Sequence, residues 1–256
     1  MIYFLKLFLV GLFTLPLSFL IVLASPFSRI GKPADAVARL WAWTILGIGG
    51  IRLKVRGLDR LEPGRHYIFI ANHQSYLDIP VLVKSLPWFQ LRWIAKKELG
   101  YIPFFGWALW AGGHILVDRS DRASAMASFR KAKERIAKGV SVVIFPEGTR
   151  SSGGHTMPFK RGGFLLAAQT KTPIVPVTIN GSWAVLPRED WRIKSGEIEV
   201  IVDEPIPIEK YDGKEINVLV KRVHDMIESH CGGPARSHAK NTARAEAQAA
   251  DFRGLD

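Results

Sequence analysis

A chain of 256 residues can bury one sizeable core, or a core with a small appendage, and a 48% hydrophobic content is ordinary for a folded domain. Lysine and arginine total 35 against 23 aspartates and glutamates, and this formal charge of +12 favours anionic partners: lipid headgroups, nucleic acid, phosphorylated substrates or acidic carrier proteins. The single cysteine, Cys231, excludes an internal disulfide and a cysteine-rich zinc site, and it fits a reducing interior.

The apolar excess is concentrated at the front. Between Lys6 and Arg29 lie 22 uncharged residues, LFLVGLFTLPLSFLIVLASPFS, long enough for a helix to cross a hydrocarbon core of roughly 30 Å. Pro16 in the middle removes a backbone donor and predicts a kink, with a re-entrant pair of half-helices as the alternative. A signal peptide fits less well, because one lysine makes a weak positive region and the run exceeds a typical signal core. Arg29 and Lys32 follow closely and keep the rest of the chain cytoplasmic by the positive-inside tendency. Leu40 to Ile51 is a second apolar patch, too short to span, and Trp41 and Trp43 at one end make it an interfacial helix.

From about Ile51 short β-branched runs alternate with helical segments. IRLKVRG, HYIFIAN, LRWIA, HILVD, SVVIF, IVPVTI and EIEVIVD read as strands. Helices are expected over about Tyr76 to Ser85, over FFGWALWAG, over Ser120 to Lys138, near Gly163 to Thr170 and near Gly213 to Ser229. In the Ser120 to Lys138 segment, Ala125, Phe129, Ala132 and Ile136 share one face, opposite a basic one. The alternation predicts an α/β domain with a mixed, largely parallel central sheet flanked by helices. The expected organisation is a membrane-associated helical segment at 1–50, an α/β domain at 51–231 and a polar, disordered tail at 232–256.

Four stretches carry candidate chemistry. In ANHQSYLD, His73 and Asp78 are five apart and do not share a helical face, so they meet only if the histidine lies in the turn before a helix. Asp78 can then reach back to one imidazole nitrogen, fix the tautomer and leave the other as a general base. Ser75 to Asp78 equally matches a capping box, which needs no catalysis. FPEGTRS, from Phe145 to Ser151, follows a buried strand: Gly148 permits close backbone approach and Arg150 offers a planar fork for phosphate, although the same residues also make an ordinary solvated turn. HILVDRSDR supplies Arg119 and Arg122, and PFKRGGF supplies Lys160 and Arg161 at a helix start. Taken singly, each is also ordinary surface charge.

Together the four resemble the glycerolipid acyltransferases typified by 1-acyl-sn-glycerol-3-phosphate acyltransferase. Asn72-His73 with Asp78 matches the first block, Ile115 to Arg119 the second, Phe145 to Ser151 the third and Ile174 to Val177 the fourth, over roughly Arg56 to Asn180. The resemblance implies acyl transfer from acyl-CoA or acyl-carrier protein to the free hydroxyl of a lysophospholipid, with His73 as base and Asp78 orienting it. It implies that Arg119, Glu147, Gly148, Thr149 and Arg150 serve the glycerol phosphate, with Lys160 as an addition and Glu147 positioning hydroxyls or arginines. The fourth block shapes a pocket or is simply a buried strand. No cofactor or metal is implied, and the absence of a GxSxG elbow agrees with a mechanism lacking an acyl-enzyme.

Membrane lipids are expected partners, and nucleic acid is not, because basic residues do not interleave with aromatics in a known module. The compact layout predicts a bacterial inner (cytoplasmic) membrane protein whose catalytic domain faces the cytoplasm. Competing readings are a related enzyme with another acceptor such as lyso-ornithine lipid, a thioesterase, and a non-catalytic basic membrane-binding protein.

Overall fold

The computed structural model describes residues 1–27, 31–118, 121–211, 213 and 215–232. The expected disordered tail therefore lies outside the described residues, apart from Gly232.

Seven strands form one sheet: β1 (Ile51–Arg56), β2 (Ile68–Ala71), β3 (Leu91–Lys96), β4 (Ile115–Val117), β5 (Ser141–Ile144), β6 (Ile174–Asn180) and β7 (Gly196–Val202). Their order is β1-β7-β6-β2-β5-β3-β4. The five strands from β6 to β4 are mutually parallel, while β7 runs antiparallel to β6 and β1 runs with β7. All residues of β2, β5 and β6 are buried, as continuous apolar runs such as IFIA require when helices cover both faces. The β6–β7 ladder begins at Val177, so Pro176, which has no donor to offer, sits just before it and accepts from the Asp203 amide at 3.0 Å.

Successive side chains of β2 feed opposite layers. Phe69 and Ala71 join Leu46, Val81 and Leu82 beneath α2 (Lys32–Gly49) and α3 (Asp78–Ser85). Ile68 and Ile70 join Ile136, Phe164 and Leu219 beneath α5 (Arg122–Ala137), α6 (Gly162–Thr170) and α8 (Glu215–His230). Asp121 caps α5 by accepting from the Ala123 and Ser124 amides at 3.0 and 2.9 Å. Asp121→Ala is expected to cost about 1 kcal/mol, read as a melting temperature lower by about 2–4 °C with turnover unchanged.

The front of the chain forms α1 (Ile2–Ala24), an unbroken helix through Pro16 rather than two half-helices. One missing intrahelical bond does not break a helix that is braced along its length. Lys6 Nζ donates to Gly49 O at 2.8 Å, to Ile193 O at 3.2 Å and to Ser195 Oγ at 3.0 Å, and Trp41 Nε1 donates to Thr14 Oγ1 at 3.1 Å. Only Leu17 and Ser18 of α1 are buried, so an apolar face including Phe4, Phe8, Leu12, Phe19 and Leu23 is exposed. By length and composition α1 suffices to cross a bilayer. The helix α4 (Phe105–Ala111) packs against it and exposes Trp107 and Trp110.

The expected interfacial helix is part of α2, which starts earlier, at Lys32, and ends on Gly50 in the left-handed conformation. Ala42, Ile45 and Leu46 enter the core while Leu40 and Trp43 stay exposed. At its start Asp35 meets Arg92 of β3, with Nη1 to Oδ1 at 2.6 Å and the arginine almost wholly buried. Next to this pair, His114 Nδ1 accepts from the Trp93 amide at 3.2 Å. Burial first, then the charges of Arg92 and Arg135, hold the His114 imidazole down to a pKa of about 3.

Candidate active site

The carboxyl ends of β2 and β5 are neighbours, and each continues into one of the motif loops. After β2, buried Asn72 behaves as an extra ladder rung: its Nδ2 donates to Ile179 O at 2.9 Å and its Oδ1 accepts from the Ile179 amide at 2.7 Å. This fixes the turn against β6 and delivers His73 to the rim, where its side chain remains 16% exposed.

Asp78, the first residue of α3, is fully buried beneath the turn. Its Oδ2 faces His73 Nδ1 at 2.8 Å and accepts from the Gln74 and Ser75 amides at 2.6 and 2.8 Å. One carboxylate oxygen thus both closes the turn and meets the ring, while the expected Ser75 cap does not form, because α3 starts at Asp78 after Leu77 with no side-chain cap bond. An acceptor at Oδ2 demands a proton on Nδ1, which leaves Nε2 of the neutral ring as the basic nitrogen, and among the described residues none bonds it. The Ser75 hydroxyl accepts from the Leu77 amide at 3.2 Å and donates to Leu186 O at 2.8 Å.

The third block holds the histidine rather than only lining a pocket. The Phe145 ring stacks on the imidazole at 4.0 Å between centroids and 13° between planes, and Trp93 stacks behind Phe145 at 5.9 Å. Glu147 Oε1 accepts from the His73 amide at 2.8 Å and Oε2 from the Met157 amide at 3.1 Å. The Ser151 amide and hydroxyl both donate to His73 O, at 2.7 and 3.2 Å. Glu147 is 3% exposed, and this burial raises its pKa to about 7, against the lowering pull of the two amides and Ser151 and with a smaller push from Asp78.

The expected substrate-binding residues divide accordingly. Each oxygen of Glu147 accepts from a backbone amide, which braces the histidine turn. Gly148 makes the turn at φ +78°, a left-handed conformation that favours glycine. Thr149 and Arg150 are part-exposed at the rim, and the Arg150 guanidinium lies over the Tyr76 ring at 3.6 Å. Lys160 is exposed, and its amide donates to Pro146 O at 3.0 Å, which brings its segment to the same loop. Arg119 lies outside the described residues. Ile174 to Val177 lie in the buried strand β6.

Sequence reasoning missed Phe145 and Trp93 as ring supports, although Phe145 opens the quoted block. It also missed Tyr76, whose ring lies beneath the Arg150 guanidinium. Among the described residues no group of three or more His, Cys, Asp or Glu is arranged to hold a metal ion. A cavity of about 550 Å³, mostly apolar, lies between α1, α2, α3, β3 and α4. Tyr76 and Trp93, both in contact with the site's own residues, are in its lining together with Ile21, Trp41, Ile79 and Leu109.

The acyltransferase family model matches residues 52–180. Human 1-acyl-sn-glycerol-3-phosphate acyltransferase alpha is 35% identical over 214 residues, 82% of this chain and 75% of that protein. The Cocos nucifera 1-acyl-sn-glycerol-3-phosphate acyltransferase is 31% identical over 212 residues, 82% of this chain and 68% of its own length. The crystal structure of the Thermotoga maritima 1-acyl-sn-glycerophosphate acyltransferase shares the fold, with a TM-score of 0.76, 24% identity and coverage of 90% of this chain and 92% of that one. A mixed sheet bearing a histidine and aspartate pair at its carboxyl rim, a family match over half of the chain and relatives of this identity make the chain a member of the acyltransferase family to which the 1-acyl-sn-glycerol-3-phosphate acyltransferases belong.

Proposed function

We propose that the chain transfers a fatty acyl group from acyl-CoA or acyl-carrier protein to the sn-2 hydroxyl of 1-acyl-glycerol-3-phosphate, giving phosphatidic acid for phospholipid synthesis. The observation that carries this reading is the His73–Asp78 contact at 2.8 Å, which leaves Nε2 as base at the rim of the sheet beside an apolar cavity. Nε2 takes the proton of the acceptor hydroxyl as its oxygen attacks the thioester carbonyl. Asp78 stabilises the imidazolium so formed. Collapse of the tetrahedral intermediate breaks the C–S bond, and the imidazolium returns the proton to the departing thiolate. The substrate's alcohol does the work of a serine nucleophile, so no acyl-enzyme forms.

The cavity volume lies within the roughly 300–1,000 Å³ usual for small-molecule sites, and its apolar walls suit a hydrocarbon chain. Arg150, Arg119 and Lys160 serve the acceptor phosphate, Thr149 lines the rim and Glu147 acts through the backbone of His73. Residues 1–50 are the membrane-associated segment and 51–231 the catalytic unit. The exposed apolar face of α1 enters the lipid of a bacterial inner membrane, with the tryptophans of α4 at the interface and the catalytic rim on the cytoplasmic side.

Incubating purified protein with labelled acyl-CoA or acyl-carrier protein and a panel of lysolipids tests the reading. Phosphatidic acid from lysophosphatidic acid is expected. Thiol release without an acceptor would instead identify a thioesterase, and transfer only to an acceptor lacking a phosphomonoester, such as lyso-ornithine lipid, would reassign the substrate. Loss of one charge-assisted contact predicts that Arg150→Ala raises the KM for lysophosphatidic acid by roughly 10–100-fold and barely changes that of a neutral acceptor.

A further inference from the structure

Between α7 (Ser182–Val185) and β7 the chain crosses in front of the histidine turn, and it is tied there at two points. Leu186 is buried and its carbonyl accepts the Ser75 hydroxyl at 2.8 Å. Two residues on, Arg188 Nη1 donates to Arg150 O at 3.1 Å while Arg150 Nη1 donates to Arg188 O at 3.4 Å. This exchange crosses the two side chains, so that each guanidinium lies against the other residue's backbone carbonyl. Among the described residues neither has a carboxylate partner. Arg150 is held over Tyr76 at 3.6 Å, and Tyr76 is itself stacked on Trp191, at 6.1 Å, from the same crossing segment.

Two cations on one rim, Arg150 half-exposed and Arg188 exposed, without a carboxylate partner among the described residues, favour an anion there. Each guanidinium carries five N–H donors in a planar fork, of which the exchanged bonds use one. The pair stands one residue from Ser151, whose amide holds the His73 carbonyl. We propose that Arg188 is a second ligand of the acceptor's phosphate, forming with Arg150 a two-arginine clamp that sets the reactive hydroxyl toward His73. The inference rests on the acceptor reading proposed above. It adds a residue outside the four motif blocks and makes the segment from Leu186 to Trp191 a wall of the acceptor site.

Steady-state kinetics of wild type, Arg188→Ala, Arg188→Lys and Arg150→Ala/Arg188→Ala test it, with lysophosphatidic acid and with an uncharged monoacylglycerol as acceptors. Arg188→Ala is expected to raise the KM for lysophosphatidic acid about tenfold or more, leave the donor KM unchanged and leave monoacylglycerol transfer unchanged. Arg188→Lys restores the charge without the fork and recovers part of the loss. The double variant loses less than the product of the single losses, because one phosphate serves both arginines. Thermal melting alongside separates misfolding from lost binding. An unchanged KM in a folded Arg188→Ala, with wild type active on lysophosphatidic acid, overturns the clamp and leaves the acceptor reading intact. Equal losses on both acceptors also overturn it, by making Arg188 a structural residue. Wild type that uses monoacylglycerol but not lysophosphatidic acid overturns the acceptor reading and the clamp together.

Discussion

His73→Ala should lower turnover by about 10³–10⁴-fold, the magnitude carried by a positioned general base, while leaving the melting temperature within a few degrees of wild type. The imidazole contributes stacking on Phe145 but no bond to the core beyond Asp78, so its loss falls on chemistry. Asp78→Asn is expected to be milder, at roughly 10–100-fold. In serine-hydrolase triads the same substitution presents an amide NH₂ to the histidine and imposes the wrong tautomer. Here the acceptor that meets Nδ1 is the one held by the Gln74 and Ser75 amides, so an asparagine must keep its oxygen there, losing the charge and placing its NH₂ group at the buried position of Oδ1, which has no partner among the described residues. Asp78→Ala removes the acceptor as well, strands two buried amides and should cost both activity and stability. Thiol release from acyl-CoA in the presence of lysophosphatidic acid reads all three. Retention of more than a few per cent of wild-type turnover by folded His73→Ala would sink the assignment of the base.

Those two residues were legible because their chemistry is local: a strand, a turn and the first residue of a helix fix their relation within six positions. The expected capping box does not form, since α3 begins at Asp78 after Leu77 with no side-chain cap bond, yet the Asp78 oxygen that holds the Ser75 amide also meets the ring. The central strands were legible for a related reason. Runs such as IFIA and IVPV are apolar at every position only where both faces are covered. What escaped depends on partners far away in sequence. Lys6 bracing α1 on Ile193, Asp35 neutralising Arg92, Phe145 stacked on His73 and Arg188 exchanging bonds with Arg150 leave no periodicity to detect. The backbone partners of Glu147 were not legible. A carboxylate in a loop beside arginines invites an ion pair, and only the fold reveals that it is buried against two amides. Pro16 does not split α1 into half-helices, because a proline's lost bond matters less in a helix braced at Lys6 and Thr14 than in an isolated one.

The buried carboxylate of Glu147 also sets a pH signature that a second buried group conceals. Its pKa is about 7 in the fold and 4.5 in the unfolded chain. Between those values the native state holds a proton that the unfolded state has released, so stability falls as pH rises, by roughly 3 kcal/mol across the window. His114 acts in the opposite sense. Its pKa is about 3 in the fold and 6.5 unfolded, so the unfolded state takes a proton the native state refuses, and stability falls as pH drops from 6.5 toward 3. Where the windows overlap, from pH 4.5 to 6.5, the two slopes cancel, and their sum in wild type is nearly flat. Glu147→Gln removes one of them. The variant's stability should then climb relative to wild type by about 1.4 kcal/mol per pH unit between pH 5 and 6.5, or about 3–5 °C in melting temperature. Contributions common to both proteins, such as Asp225 paired with Lys221, drop out of the difference. Because one amide, at His73 or Met157, must face the new NH₂ group, turnover of the variant should also fall at every pH. A difference curve without slope over that interval would show that Glu147 is ionised in the native protein well below neutrality, and that the site around His73 is more polar or better hydrated than its burial implies.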